Sequence, residues 1–266
     1  MMMRTQTLLS LMLMFVIAVL AGASPRVARA GKDDLDFEPE AIEKAGPPSK
    51  TLERALRLYD KGDFYSASIE LFKVINKETK DTSGNRQRAE FFMGKTMFQR
   101  KFYAAAMAAF DKIVEQGGKH KYYGITLKWL AALSKVLPES SGILEKIGKY
   151  SREDLEDPAL NKVRQELYYL LGRHFYMQGK TEQAIELFKS VDEASEFFLP
   201  SKYMEGVSHV REYKGQPAVE AFKAILVVAA EPELSKKYAG GEVAKYTELA
   251  NLGMARVFYS TEQFDT

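Results

Sequence analysis

The chain has 266 residues, of which 46% are hydrophobic, 28% are charged and none is cysteine. This composition is typical of a folded globular protein and excludes a disordered chain, a collagen and a polytopic membrane protein. Without cysteine the chain has no disulfide, thiolate zinc site, iron–sulfur cluster or cysteine nucleophile. The formal net charge is +2, but beyond residue 30 there are 35 basic and 36 acidic residues. We therefore expect neither nucleic acid nor an anionic lipid surface as the principal partner.

Residues 1–30 have the three parts of a secretory signal. Arg4 is the positive start, an apolar run extends from Leu8 to Ala23, and the small-residue sequence VARA ends at Ala30. The apolar run is shorter than the about 20 residues that span a bilayer. We predict cleavage after Ala30, with Ala23 as the lesser site and an uncleaved membrane anchor as the alternative. The mature protein is then periplasmic and has no integral membrane span.

The chain after the signal has two parts. Residues 31–50 (GKDDLDFEPEAIEKAGPPSK) are acidic and contain three prolines, which predicts a flexible leader. From Thr51 onward, apolar residues recur at helical spacing, and no stretch keeps the period of two that is typical of a strand. The sequence therefore predicts an all-α protein from residue 51.

An internal repeat runs through residues 51–266. A small residue is followed after 12 positions by a second residue, usually small, and after 4 more by a large apolar residue. These offsets suit two antiparallel helices whose backbones approach closely, with the large residue filling the gap before the next pair. The five copies are Ala55, Ala67, Leu71; Gly94, Ala106, Phe110; the weaker Ala131, Ile143, Ile147; Gly172, Ala184, Phe188; and Gly206, Ala218, Phe222.

The turns between the two helices of a pair also show a pattern. Gly62, Gly179 and Gly215 are predicted to end the first helix in a left-handed conformation. Asp63 and Thr181 then stand near the start of the second helix, where such side chains cap the backbone.

This pattern resembles the tetratricopeptide repeat (TPR), whose 34-residue unit carries small residues at its eighth and twentieth positions and an aromatic residue at its twenty-fourth. The best match is LYYLLGRHFYMQGKTEQAIELFKSV at residues 167–191. The resemblance implies a right-handed α-solenoid of antiparallel helix pairs over residues 51–266, with about five pairs and an incomplete sixth. Successive small residues lie 34 to 47 positions apart, so several connections are longer than in the family.

The first helices of a solenoid line its inner surface. Relative to each small residue, the positions three before, one after and four after share one stripe of the helix. This stripe is aromatic and basic and holds no acid, so the expected ligand is an apolar peptide segment that carries acidic residues. The alternative is that the aromatic residues fill the space between helix pairs. The predicted protein-binding groove consists of Tyr59, Phe91, Lys95, Phe98, Lys128, Lys135, Tyr169, Arg173, Tyr176 and Tyr203.

No chemistry-bearing motif stands out. The three histidines form no ligand pair, and there is no Ser-His-Asp order or glycine-rich phosphate loop. We therefore expect no catalytic residue, cofactor or metal. The resemblance implies an exported scaffold that binds other proteins or peptides of a bacterial cell envelope. The alternative is a helical, non-catalytic arm or fragment of a longer periplasmic cell-wall enzyme.

The C-terminal end resembles the first helix of a further pair, with Leu252-Gly253 at its centre. A first helix without its partner would leave Leu252, Val257 and Phe258 incompletely covered, and a second helix is expected to begin near Phe264. Either the native chain continues beyond Thr266, or this end docks onto another chain.

Overall fold

The computed structural model describes residues 46–261, with only the backbone of Thr261. The predicted signal at residues 1–30, most of the predicted leader and Phe264 lie outside the described residues. Within residues 46–261 the protein has twelve α-helices, four short 3₁₀ turns and no strand, which confirms the all-α prediction. None of the helices in this part is both long and apolar enough to cross a membrane.

The helices follow one another with mostly short connections, and their bounds are as follows. They are α1 (Lys50–Asp60), α2 (Phe64–Ile75), α3 (Ser83–Gln99), α4 (Tyr103–Gln116), α5 (Tyr123–Ser134), α6 (Ile143–Ile147), α7 (Arg164–Met177), α8 (Thr181–Lys189), α9 (Phe198–Arg211), α10 (Gly215–Ala230), α11 (Pro232–Ser235) and α12 (Glu242–Thr261).

The first three helices begin at side-chain caps. Ser49, Asp63 and Thr82 each accept a hydrogen bond from a backbone N–H three residues later, over 3.2, 3.1 and 3.3 Å. Asp63 thus lies where the sequence predicted a helix start. Such caps satisfy donors that a helix leaves unpaired at its N-terminus.

In four of the five helix pairs a left-handed residue lies at a constant distance from the small residue of the first helix. Gly62 and Gly179 have φ of 78° and 75°, as predicted. The prediction for Gly215 is wrong, because this residue is the first of α10 and the left-handed residue is Tyr213, with φ of 57°. Lys101, with φ of 62°, takes the same place after α3. All four lie seven positions after the small residue, so helix length fixes the turn whether or not a glycine stands there.

Three helical glycines are each covered by the ring that stands 16 positions later. A Cβ on Gly172 would lie 2.6 Å from Cε1 of Phe188. The same distance is 2.5 Å for Gly94 and Phe110 and 2.4 Å for Gly206 and Phe222. The small residue is therefore small because it receives the ring of the second helix, a more specific reason than close backbone approach alone.

The copies with alanine instead of glycine carry a smaller partner. Ala55 and Ala131 are followed 16 positions later by Leu71 and Ile147 rather than by phenylalanine, and both partners are fully buried. Gly accompanies Phe and Ala accompanies Leu or Ile, so the pair keeps a nearly constant volume, as close packing requires.

The helices pack mainly against their neighbours in the chain. α1 packs on α2, α2 on α3, α3 on α4, and the same continues from α7 to α10, while α12 packs on α10. The first helices also contact each other, α1 with α3, α5 with α7, α7 with α9 and α9 with α12. The first helices therefore lie side by side in these pairs.

The end of α12 is covered more fully than the sequence predicted. Leu252 is 43% exposed, but Val257 is only 5% exposed and Phe258 is partly buried. A Cβ on Gly253 would lie 2.7 Å from Cζ of Phe222, so α12 packs against the ring that also covers α9.

Candidate protein-binding surface

The ten residues of the predicted groove fall into two groups by exposure. Those from the N-terminal half are buried and at most 8% exposed: Tyr59, Phe91, Lys95, Phe98 and Lys128. Those from the C-terminal half are partly exposed, apart from Tyr176 at 7%: Lys135, Tyr169, Arg173, Tyr176 and Tyr203. The accessible part of the predicted groove is therefore its C-terminal half.

In the N-terminal half, aromatic rings enclose Lys95. Its Nζ lies 4.5 Å from the ring centre of Phe92, 4.8 Å from that of Tyr59 and 5.6 Å from that of Trp129. The Phe98 ring meets Trp129 edge-on at 5.3 Å. These rings fill the space between neighbouring helix pairs, which is the alternative that the sequence left open for the aromatic residues. The Lys95 ammonium is stabilised by the ring faces.

In the C-terminal half, α7, α9 and α12 bring three tyrosines and an arginine together. The Arg173 guanidinium lies 5.5 Å from the ring centre of Tyr169, and the rings of Tyr203 and Tyr246 are 6.2 Å apart. Burial raises the pKa of the Tyr246 hydroxyl, and the hydroxyl of Tyr169 adds to this effect. We call Tyr169, Arg173, Tyr203 and Tyr246 the tyrosine surface.

Tyr246 was not among the predicted residues. It lies seven positions before Gly253 in α12. Seven positions are two helical turns, so Tyr246 and Gly253 lie on the same face of the helix. The stripe was defined by three positions within one turn of the small residue, and extending it by one turn would have included Tyr246.

Acidic residues from outside the stripe form ion pairs with two of its cations. Arg173 forms an ion pair with Glu139, which lies in a 3₁₀ turn after α5, and Lys135 Nζ lies 3.0 Å from Glu166. The Arg173 side chain is only 12% exposed, whereas the sequence indicated a freely exposed charge. Burial raises the pKa of Glu166 to about 7, although Lys135 acts in the opposite direction. The stripe itself holds no acidic residue, but the surface around it does carry negative charge.

A residue of α9 contacts both the backbone and the ring of Tyr176. The Arg211 guanidinium donates a hydrogen bond of 2.9 Å to the carbonyl oxygen of Tyr176 and lies 5.2 Å from its ring centre. Tyr176 therefore joins α7 to the end of α9 and contributes little accessible area.

Outside the predicted groove, the features of the described chain that could form another site are metal ligands and cavities. Within residues 46–261 there is no group of three or more His, Asp or Glu residues that could hold a metal ion. A cavity of about 540 Å³ lies between α10, α11 and α12, lined among others by Tyr238, Val243 and Thr247, and includes none of the predicted residues. No protein-family model matches the chain, and no curated protein matches it either.

Proposed function

We propose that the chain is an exported scaffold of a bacterial cell-envelope assembly, built as a TPR-like right-handed α-solenoid, that binds partner proteins or peptides through its first helices. The observation that carries this proposal is the side-by-side packing of α7, α9 and α12, which leaves the tyrosine surface partly exposed across three helices. Export rests on the signal-like sequence of residues 1–30.

The chemistry of the tyrosine surface indicates the kind of partner. Tyrosine rings bury a large apolar area while their hydroxyls hydrogen-bond, so they suit contact with an apolar or aromatic segment. A carboxylate of the partner would exchange with Glu139 at the Arg173 guanidinium. Glu139 is 47% exposed and lies in a 3₁₀ turn, so it can move into solvent when a carboxylate of the partner takes its place. The favoured ligand is therefore a peptide segment with aromatic or apolar residues and at least one acid.

Affinity purification from an envelope extract tests the proposal. The bait is the wild-type protein, and the matched baits are the double variant Tyr203→Ala, Tyr246→Ala and the control Tyr259→Ala, a tyrosine of α12 that is 69% exposed. We expect the double variant to lose partners that the wild type and the control both retain. Circular dichroism must show the same helicity for all three baits.

A variant that removes the charge of Glu139 tests whether Arg173 takes part in binding. Glu139→Gln releases Arg173 from its internal partner and should strengthen the binding of an acidic segment. If a correctly folded double variant retains every partner, and Glu139→Gln changes none, the tyrosine surface is not the binding site.

A further inference from the structure

An exposed apolar patch lies on α2, outside the stripe of first-helix residues. Tyr65, Ile69 and Phe72 follow one another at helical spacing on one face and are 63%, 44% and 57% exposed. Phe102, which is 51% exposed, joins them through Arg100, whose guanidinium lies 5.2 Å from the Tyr65 ring centre and 4.6 Å from that of Phe102. We call Tyr65, Ile69, Phe72 and Phe102 the α2 patch.

The packing of α2 does not require these residues. The helix buries Ala67, Leu71 and Val74, which are fully inaccessible, whereas Tyr65, Ile69 and Phe72 stand at other positions of the helix. A contiguous exposed apolar patch on a soluble domain is typical of a surface that another segment covers.

The rim of the α2 patch is basic. Arg100 stacks on two of its rings, and the exposed Lys101 follows directly in the chain. The nearest acid along α2, Glu70, is already bridged by Lys73 at 3.2 Å and by Arg54 at 3.8 Å. An occupant with apolar residues and an excess of acid would therefore complement the patch.

Residues 31–45 of the chain have this composition. The segment GKDDLDFEPEAIEKA contains six acids and two lysines, and its large apolar residues are Leu35, Phe37 and Ile42. Its net charge is opposite to that of the rim, and its apolar residues alternate with the acids.

The segment also joins the described chain within reach of the α2 patch. It joins the described chain at Gly46, and Pro47 is fixed by a hydrogen bond of 3.1 Å from Asn85 Nδ2 to its carbonyl oxygen. Asn85 is in the first turn of α3, which directly follows the loop that leaves the C-terminal end of α2, near Phe72. Fifteen residues reach up to about 50 Å when extended, and the distance along α2 from Phe72 to Tyr65 is only about 10 Å.

We propose that residues 31–45 fold back onto the α2 patch of their own chain. Leu35, Phe37 and Ile42 cover the rings and Ile69, and the acids face Arg100 and Lys101. The α2 patch is then an intramolecular docking site for an acidic apolar segment, separate from the tyrosine surface.

Spin labelling tests this proposal on a chain that retains residues 31–45. Because the protein has no cysteine, Glu40→Cys provides a unique site for a nitroxide. We expect the amide signals of residues 65–72 to lose most of their intensity through paramagnetic broadening. Broadening that is absent from these residues, or equal throughout the protein, overturns the proposal.

Two further samples identify the occupant. Dilution with an excess of unlabelled protein leaves intramolecular broadening unchanged, whereas broadening that disappears on dilution means that a second copy docks and overturns the proposal. The labelled variant that also carries Leu35→Ser and Phe37→Ser should show no broadening of the patch. Since both substitutions lie outside α1 to α12, persistence of the broadening in that variant would overturn the proposal.

Discussion

Substitution of Gly172 by alanine tests the packing unit of the repeat. In an exposed helix this change would stabilise the protein by about 1 kcal/mol, because alanine is the better helix former. Here the new Cβ would lie 2.6 Å from Cε1 and 2.9 Å from Cδ1 of Phe188. The ring must retreat by about 0.8 Å to reach ordinary contact, yet Phe188 is fully buried.

The two effects have opposite signs, and overpacking should be the larger. Inserting a methyl group into a close-packed core costs about 1–3 kcal/mol, and the gain in helix propensity offsets about 1 kcal/mol of this. We expect the free energy of unfolding, measured with urea, to fall by up to about 2 kcal/mol. Gly118→Ala is the control, since nothing lies within 4 Å of its Cβ position, and it should raise the free energy of unfolding by about 0.4–1 kcal/mol.

The double variant Gly172→Ala, Phe188→Leu gives the decisive measurement. It copies the Ala55 and Leu71 pair that the chain already uses. Phe188→Leu alone should cost about 1–2 kcal/mol through lost volume, but the double variant should be more stable than the sum of the single changes by at least about 1 kcal/mol. A more stable Gly172→Ala variant, or strict additivity, would refute the interpretation that the ring and the glycine form one unit.

Three further predictions concern single side chains. Lys101→Gly should raise the free energy of unfolding by about 0.5–1 kcal/mol in urea titrations, because glycine adopts φ of 62° without strain. Burial alone would raise the pKa of Asp81, but hydrogen bonds from Ser49, Thr79 and Asn85 hold it below its usual value. Asp81→Asn should therefore cost about 2 kcal/mol at neutral pH and progressively less as the pH falls below about 4, measured by urea unfolding at both pH values. The folded state takes up a proton at Glu166 between the ordinary pKa of 4.5 and about 7, so the stability of the wild type falls as pH rises across this window. The stability of Glu166→Gln relative to the wild type should then rise over the same window in urea titrations, and a constant difference would contradict the raised pKa.

The repeat was readable from the sequence because its unit is local. Gly172 and Phe188 lie in consecutive helices, so their contact has a fixed separation of 16 positions and recurs wherever the helix lengths are the same. The left-handed turn is harder to predict, since the sequence marks it only where a glycine stands. At Tyr213 and Lys101 the packing of the two helices imposes positive φ on residues that do not favour it.

The exposure of the predicted groove could not be read from helix periodicity. Periodicity gives the face of a helix, but it does not give the neighbour that covers this face. Glu139 and Glu166, which pair with Arg173 and Lys135, stand outside the stripe, and Glu139 belongs to a connection rather than to a helix. Pairing across such connections depends on the path of the loop, for which the sequence gives no repeating signal.

One position in the repeat explains why the two halves of the groove differ. Two residues before the small residue stand Phe92 and Trp129 in the second and third pairs, and their rings close over Lys95. In the fourth and fifth pairs the same position holds Leu170 and Met204, which are buried but have no flat ring to enclose a cation. The charge at the corresponding position of α7, Arg173, is therefore left to Glu139, Tyr169 and Tyr246. Because an ion pair at a partly exposed site exchanges far more readily than an ammonium caged by rings, the C-terminal half is the part of this surface that is suited to a partner.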